Sequence, residues 1–277
     1  ADRVVVVDAD GNVVHEDTVV AILAEYYVRS SSVPDPVVVT TPNASGRIDE
    51  RVEAAGGRVE RVRLGALHEG IQRVESNGGD QDVESKGGNV VFAAEPWKHI
   101  HPAFGRWIDG VTSAALVSVL VAAAGGLSPL RSPVTERPYR KKSVSCPDES
   151  KEAAMVELAD RLPERYPGAA VDTDYGIRLD FADGSWLLVR PSGTEPYVRL
   201  YAESEDIDSL VRDAVEVVTS AIEATDGDAI AVDEASTETS LRELHRAGFY
   251  VEPTSAAAVA GLAQYRERGL GTDLDVV

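Results

Sequence analysis

The chain has 277 residues, 43% of them hydrophobic, and carries 47 acidic against 27 basic side chains, a formal net charge of −20. Such a field repels nucleic acid and anionic lipid, so neither is an expected partner. The longest apolar run, residues 114–124, is too short to cross a bilayer, and no basic-then-apolar leader opens the chain, so the expectation is a soluble, cytoplasmic protein.

The length allows two domains with separate cores. Only five of the 27 cations are lysines. An acidic, lysine-poor surface spread along a folded chain is one that high salt screens and tolerates, which points to a halophile's cytoplasm. The single cysteine, Cys146, leaves no internal disulfide and suggests a reducing compartment; its expected role is a small buried hydrophobe at a strand end.

In chain order, residues 4–7 and 12–15 flank Asp8-Ala9-Asp10-Gly11, whose Asp-Gly pair predicts a hairpin. Asp17 is the expected cap of a helix with Val20, Leu23, Ala24 and Tyr27 at helical spacing. Two short strands and a helix cannot close a core, so this stretch reads as the tail of a domain. From Pro34 a new unit starts with strand 37–41, a helix capped by Asn43-Ala44-Ser45, and strand 58–64, a β-α-β run. Helix 68–74, a polar loop over 76–88 of expected mobility, and strand 89–93 follow. Asp109 caps helix 111–124, which is apolar nearly all round and is expected to lie against the sheet. Three prolines mark 128–138 as a linker.

Beyond it, strand 139–146, a helix from Pro147-Asp148 to 162, strands 169–172, 177–181, 185–189 and 197–203, and helix 206–224 compose an α+β unit. Along 197–203, Val198, Leu200 and Ala202 share one face while Tyr197, Arg199 and Tyr201 share the other. The remaining residues predict helix 237–247, a short strand 249–252 and an alanine-rich helix from 253 to 268.

Two stretches carry chemistry. Arg190-Pro191-Ser192-Gly193-Thr194-Glu195-Pro196 forms a tight loop between two strands. Arg190 offers a charged planar fork, Ser192 and Thr194 offer hydroxyls, and Gly193 leaves backbone amides open to an anion, a set suited to phosphate. A polar turn is the bland alternative. Arg199, on the loop-facing side of the next strand, is either a further phosphate contact or one half of a cross-strand charge pair. The second stretch, Glu95-Pro96-Trp97-Lys98-His99-Ile100-His101, puts a carboxylate, an ammonium and two imidazoles at a strand's carboxyl end, where ligands of open α/β sheets gather. Glu95 either accepts from sugar hydroxyls or makes a structural hydrogen bond, Trp97 is also a possible core anchor, and His101, preceding proline, reads mainly as a loop residue.

The string Arg-Pro-Ser-Gly-Thr-Glu-Pro, followed by a strand ending Arg-Leu-Tyr-Ala-Glu, resembles the phosphate-binding loop in the last domain of the α-D-phosphohexomutases, the family of phosphoglucomutase, phosphomannomutase and phosphoglucosamine mutase. The resemblance implies phosphate contacts from Arg190, Ser192, Gly193, Thr194 and Arg199. The stretch at Glu95 resembles the family's sugar-binding loop, Gly-Glu-x-Ser-Gly-His, with Glu95 and His99 on matching positions and Lys98 beside them. Ala93-Ala94, Trp97 and Lys98 depart from that pattern. Ala1-Asp2-Arg3 resembles the end of the family's metal loop, Asp-x-Asp-x-Asp-Arg, which makes Asp2 one Mg²⁺ ligand and Arg3 a sugar contact.

What the resemblance implies for a complete enzyme is interconversion of hexose 1- and 6-phosphates through a phosphoserine and a hexose bisphosphate. His99 is the one acid/base candidate. No Ser-His motif resembling the phosphoserine loop occurs, and one carboxylate does not select Mg²⁺, so the expectation is a truncated or processed chain that is inactive alone and holds no Mg²⁺. The competing reading is a non-catalytic sugar-phosphate-binding fragment. Residues 249–260 resemble the C-terminal part of threonine synthase, without the lysine a pyridoxal enzyme needs.

The expected fold is α/β and α+β multidomain. Residues 1–33 are the tail of a mutase domain, 34–127 a sugar-binding βαβ domain with a mixed sheet, and 128–138 a linker. Residues 139–226 form a small α+β phosphate-binding domain and 227–277 a short helical appendage, with Glu95 and Arg190 expected across an interdomain gap.

Overall fold

A computed structural model describes residues 1–76, 88–225 and 231–267. The chain divides into two compact units, Ala1–Arg137 and Pro138–Val277. Most of the expected loop 76–88, the 226–230 junction and the end of the last helix beyond 267 lie outside the described residues.

The first unit is built on β1 (Pro36–Thr40), whose Val37, Val38 and Val39 are fully buried because a parallel strand is covered on both faces. It runs parallel to β2 (Arg58–Arg61) on one side and β3 (Asn89–Glu95) on the other, and β4 (Lys98–Ile100) returns antiparallel to β3, giving a mixed sheet of order β2-β1-β3-β4. On one face α1 (Glu16–Ser30) and α2 (Gly46–Ala54) pack with Val38, Phe92 and Ala94; on the other, α3 (Leu67–Ser76) packs with Val37, Val39 and Val90. The α2 cap is Ser45, whose Oγ accepts from the Arg47 amide at 3.2 Å.

Several sequence expectations change here. The first hairpin shrinks to one bridge, Val7 to Val13, because the Asp8 carboxylate takes the Asp10 and Asn12 amides at 3.0 and 2.9 Å and turns the chain locally. His15, not Asp17, caps α1 through Nδ1; Asp17 is buried and accepts instead from the Ser45 amide at 3.1 Å, tying the start of α1 to that of α2. The segment after β3 is not a loop but the hairpin to β4. The helix α4 (Gly110–Ala124) has its Asp109 cap, yet only Gly110 and Ser113 are buried. Leu116, Val117 and Leu120 lean on the core while Val111 and Val119 are 62% and 63% exposed. A helix apolar all round gives no clue to which side meets water, so its composition overstated its burial. Within the expected linker, α5 (Leu127–Arg131) forms with Pro129 in its first turn, where a missing amide costs nothing.

The second unit carries β5 (Tyr139–Ser145), β6 (Ala170–Asp172), β7 (Ile177–Asp180), β8 (Trp186–Pro191), β9 (Tyr197–Glu203) and β10 (Ala231–Val232), an antiparallel sheet of order β10-β5-β9-β8-β7-β6. A 3₁₀ turn (Asp148–Ser150) leads into α6 (Lys151–Arg165), which with α7 (Ile207–Glu223) covers one face. The period-two pattern decides that face: Leu187, Val189, Val198, Leu200 and Ala202 point into the core against Leu158, Leu162 and Val218. Trp186, Leu188 and Tyr201 form a second cluster on the opposite face.

After β10 come α8 (Glu234–Arg246) and α9 (Pro253–Glu267), a helical pair. Residues 249–252 form no strand: Phe249 and Tyr250 are 62% and 89% exposed, and the tail's pairing with the sheet is made instead by β10, with Val232 packed on Ala260.

Candidate functional site

In the second unit the Arg190–Pro196 loop links β8 to β9, and its two feet are in register: Arg190 lies directly opposite Arg199, and Pro191 opposite Val198. The Ser192 amide donates to Tyr197 O at 2.8 Å and the Cys146 amide to Pro196 O at 2.9 Å, closing the loop and holding it to the end of β5. The amides of Gly193, Thr194 and Glu195 are bonded to no acceptor among the described residues. Gly193 and Thr194 are exposed, whereas Ser192 is buried. A Cβ added at Gly193 would meet nothing within 4 Å, so the protein itself does not demand glycine there.

Two like charges directly opposite each other destabilise a sheet unless something neutralises them. Part of the compensation is Glu195, whose carboxylate accepts from Arg199 Nη2. Arg190 bends back, with Nη1 donating to Pro191 O and Nη2 to the Tyr201 hydroxyl, both at 3.2 Å, its guanidinium carbon 5.6 Å from the Tyr201 ring centre. The Nε–H groups of both arginines are buried and have no acceptor among the described residues. Burial alone would raise the Tyr201 hydroxyl's pKa, but Arg190, Lys141 and Arg199 outweigh it and hold it below the usual phenol value. The face is locally cationic in an acidic chain, with Lys141 Nζ 5.7 Å from the same ring.

One contributor was not expected from sequence. Lys151, at the first position of α6, donates to Ser192 O at 2.8 Å and Glu195 O at 2.6 Å from beneath the loop.

In the first unit Glu95 and Lys98 face each other as the closing pair of the β3–β4 hairpin, Nζ to Oε1 2.8 Å, and the other carboxylate oxygen accepts from the Gly65 amide at 3.0 Å. The turn between them runs through Trp97 at φ 62°, left-handed backbone that favours glycine. Such strain collects at functional turns.

His99 does not join them. Strand alternation sends it to the opposite face from Lys98, where it is 2% exposed against Phe92. Its Nδ1 is 2.9 Å from Ser113 Oγ, His101 Nε2 is 2.8 Å from the same oxygen, and the Tyr27 hydroxyl is 2.8 Å from His101 Nδ1. One proton arrangement satisfies all of them: Ser113 donates to Asp109 O at 3.0 Å, both imidazoles donate to Ser113, and Tyr27 donates to His101. Burial drives the His99 pKa down to about 3, with His101 adding to the shift. Burial also lowers that of His101, against the opposing influence of Asp109. A neutral ring sealed from solvent at every working pH is a core element, so the acid/base and sugar-contact roles expected of His99 do not fit its position.

Asp2 and Arg3 are exposed. Their extended segment touches the start of α4, the Gly110 amide donating to Ala1 O at 3.1 Å, and neither side chain joins the Glu95–Lys98 pair. The residues do not fit Mg²⁺: among those described no three His, Cys, Asp or Glu side chains converge, and Asp2 stands alone.

Residues 143–220 match the family profile described as phosphoglucomutase/phosphomannomutase, C-terminal domain, and the chain is 39% identical over 206 residues to the phosphopentomutase of Thermococcus kodakarensis, covering 74% of this chain and 42% of that protein. The chain belongs to the α-D-phosphohexomutase family. It spans about two-fifths of the length of the curated relatives it matches. Solved structures agree on the fold. A phosphoglucomutase/phosphomannomutase family protein from Burkholderia thailandensis superposes with TM-score 0.61 at 20% identity, over 83% of this chain and 46% of that one. The Aspergillus fumigatus N-acetylphosphoglucosamine mutase, solved with GlcNAc-6P and magnesium, gives TM-score 0.52 at 17% identity, over 82% and 50%. The family match ends at residue 220, before the helical tail.

Proposed function

We propose that this chain supplies the sugar- and phosphate-positioning part of a phosphohexomutase, holding a hexose phosphate or bisphosphate while its phosphoryl groups exchange. The observation that carries this reading is the Arg190–Arg199 pair: two guanidiniums in direct register, each with a buried, unpartnered Nε–H, at the feet of a loop whose middle amides are free. A phosphate dianion accepts from all of these and cancels their repulsion. An open Gly193 lets the anion approach the backbone. In the first unit Glu95 takes paired sugar hydroxyls through lone pairs left over from Lys98 and Gly65, and Lys98 adds a cation. Positioning and charge neutralisation of this kind are what phosphoryl transfer asks of a protein. Among the described residues no cluster fits Mg²⁺, and no Ser-His string resembling the phosphoserine loop occurs in these 277 residues, which supports a binding and positioning role for the chain by itself.

Calorimetric titration of the 277-residue chain with glucose 1-phosphate, glucose 6-phosphate and inorganic phosphate tests this. Binding is expected, weakened about tenfold or more for each ligand by Arg190→Ala, the loss of one or two charge-assisted bonds. Glu95→Gln should weaken the sugar phosphates and leave inorganic phosphate unchanged. Absence of binding at millimolar concentrations refutes the reading, and conversion of glucose 1-phosphate in the presence of a bisphosphate activator refutes its non-catalytic part. A pentose phosphate is the second reading, favoured by the 39% identity to a phosphopentomutase and by the departures at Ala93, Ala94, Trp97 and Lys98 from the hexose pattern. Ribose 5-phosphate binding more tightly than glucose 6-phosphate decides for it.

A further inference from the structure

Lys151 stands where a lysine is electrostatically out of place. It is the first residue of α6, at the positive end of the helix dipole, where cations are disfavoured. It is also only 12% exposed, with the ammonium turned under the Arg190–Pro196 loop. All three of its N–H donors are used: Ser192 O at 2.8 Å, Glu195 O at 2.6 Å and Asp148 Oδ1 at 2.5 Å. Two of those acceptors are backbone carbonyls from the two ends of the loop's exposed turn. The bonds are charge-assisted, among the stronger ones a side chain makes to the backbone.

The consequence follows from peptide planarity. In a trans peptide the C=O and the next N–H point in opposite directions, and no peptide in the described chain is cis. Holding Ser192 O inward therefore turns the Gly193 N–H outward. Fixing Glu195 O, which also accepts from the Tyr197 amide at 2.8 Å, sets the far end of the turn before Pro196. Without the ammonium, Ser192 O would be free to rotate outward and present oxygen to an incoming anion, and Glu195 O would be held by the Tyr197 amide alone.

We propose that Lys151 is the positioning residue of the phosphate loop: it draws two carbonyls inward so that the loop's amides, and not its oxygens, face the anion. The proposal rests on the phosphate reading of the loop. Lys151 does not touch the ligand; it acts through the backbone and leaves a positive charge behind the turn.

The full chain carrying Lys151→Met, with Lys151→Arg beside it, is compared with the unsubstituted protein in two measurements. Amide ¹⁵N–¹H spectra and hydrogen exchange without ligand report the loop itself. Titrations with inorganic phosphate and glucose 6-phosphate report its function. Expected for Lys151→Met are displaced Gly193 and Thr194 resonances with faster exchange, unmoved Val198 and Leu200 resonances, and a dissociation constant raised about tenfold or more for both ligands. Lys151→Arg, keeping charge and donors, should recover part of the affinity. Should Lys151→Met not fold, Lys151→Gln, which retains one donor group for the carbonyls, carries the same comparison. Unmoved Gly193 and Thr194 amides overturn the proposal, as does unchanged affinity in a folded variant. If the unsubstituted chain binds neither ligand, the phosphate reading itself falls, and the amide spectra still decide whether Lys151 sets the loop.

Discussion

Acid should unfold the first unit through His99. The ring is neutral in the folded protein down to about pH 3 because burial among Phe92, Ser113 and His101 excludes its charged form, whereas in the unfolded chain it titrates at about 6.5. Between those values the unfolded state binds the extra proton. The stabilisation from keeping His99 neutral is therefore fully present above about pH 6.5 and is lost as pH falls. At pH 4.5 the loss is set by the two-unit distance from the unfolded value, about 2–3 kcal/mol, and hardly changes so long as the folded value stays below about 4. The assay is urea denaturation followed by tryptophan fluorescence at pH 7 and pH 4.5, comparing the protein with His99→Asn. That amide retains a donor for Ser113 and cannot titrate. Carboxylate protonation is common to both proteins and cancels in the comparison. The substituted chain should lose about 2–3 kcal/mol less on acidification, a large share of a domain's stability. Parallel losses in the two proteins would refute the buried, neutral assignment of His99.

Two other expectations test the folded framework. Ser45→Ala removes the acceptor for the Arg47 amide at 3.2 Å and for its buried Nε at 3.1 Å, so urea unfolding of the first unit should show a loss of about 1–2 kcal/mol. Cys146 is fully buried and its thiol pKa is raised, chiefly by burial. It should stay unreacted with a disulfide reagent at pH 8 in the native protein and react with one equivalent once unfolded.

How much of this was legible depended on how local each signal is. The strand–loop–strand setting of the Arg190–Pro196 candidate loop could be read because its donors, its glycine and both flanking strands fall within one short run, and period-two alternation then put Arg199 and Tyr201 on one face. Lys151 could not. It approaches from a helix start some forty residues earlier, and nothing in its own neighbourhood marks it as a loop support. The β3–β4 hairpin was hidden because its left-handed turn position holds Trp97 instead of the glycine or asparagine that would announce it. His99 looked like a site residue while its strand was taken for a loop. Once Lys98–Ile100 is a strand, alternation alone puts His99 on the face away from Lys98. The two exposed Asp2 and Arg3 side chains show the opposite limit: a matching motif end carries ancestry, and convergence needs the other ligands.

The pairing of β10 with β5 bears on how the second unit behaves in a crowd. Ala231 and Val232 lie opposite Val144 and Ser143, so the tail lays its own backbone along part of a seven-residue border strand. Border strands are templates: whatever chain arrives next can extend them, copy after copy. Here the vacancy is partly filled from within, and the opposite border, β6, is only three residues long. The tail thus covers part of this border from within its own chain, and Arg140, Lys141 and Lys142 lie along the stretch it leaves uncovered, where charge opposes sheet-to-sheet polymerisation.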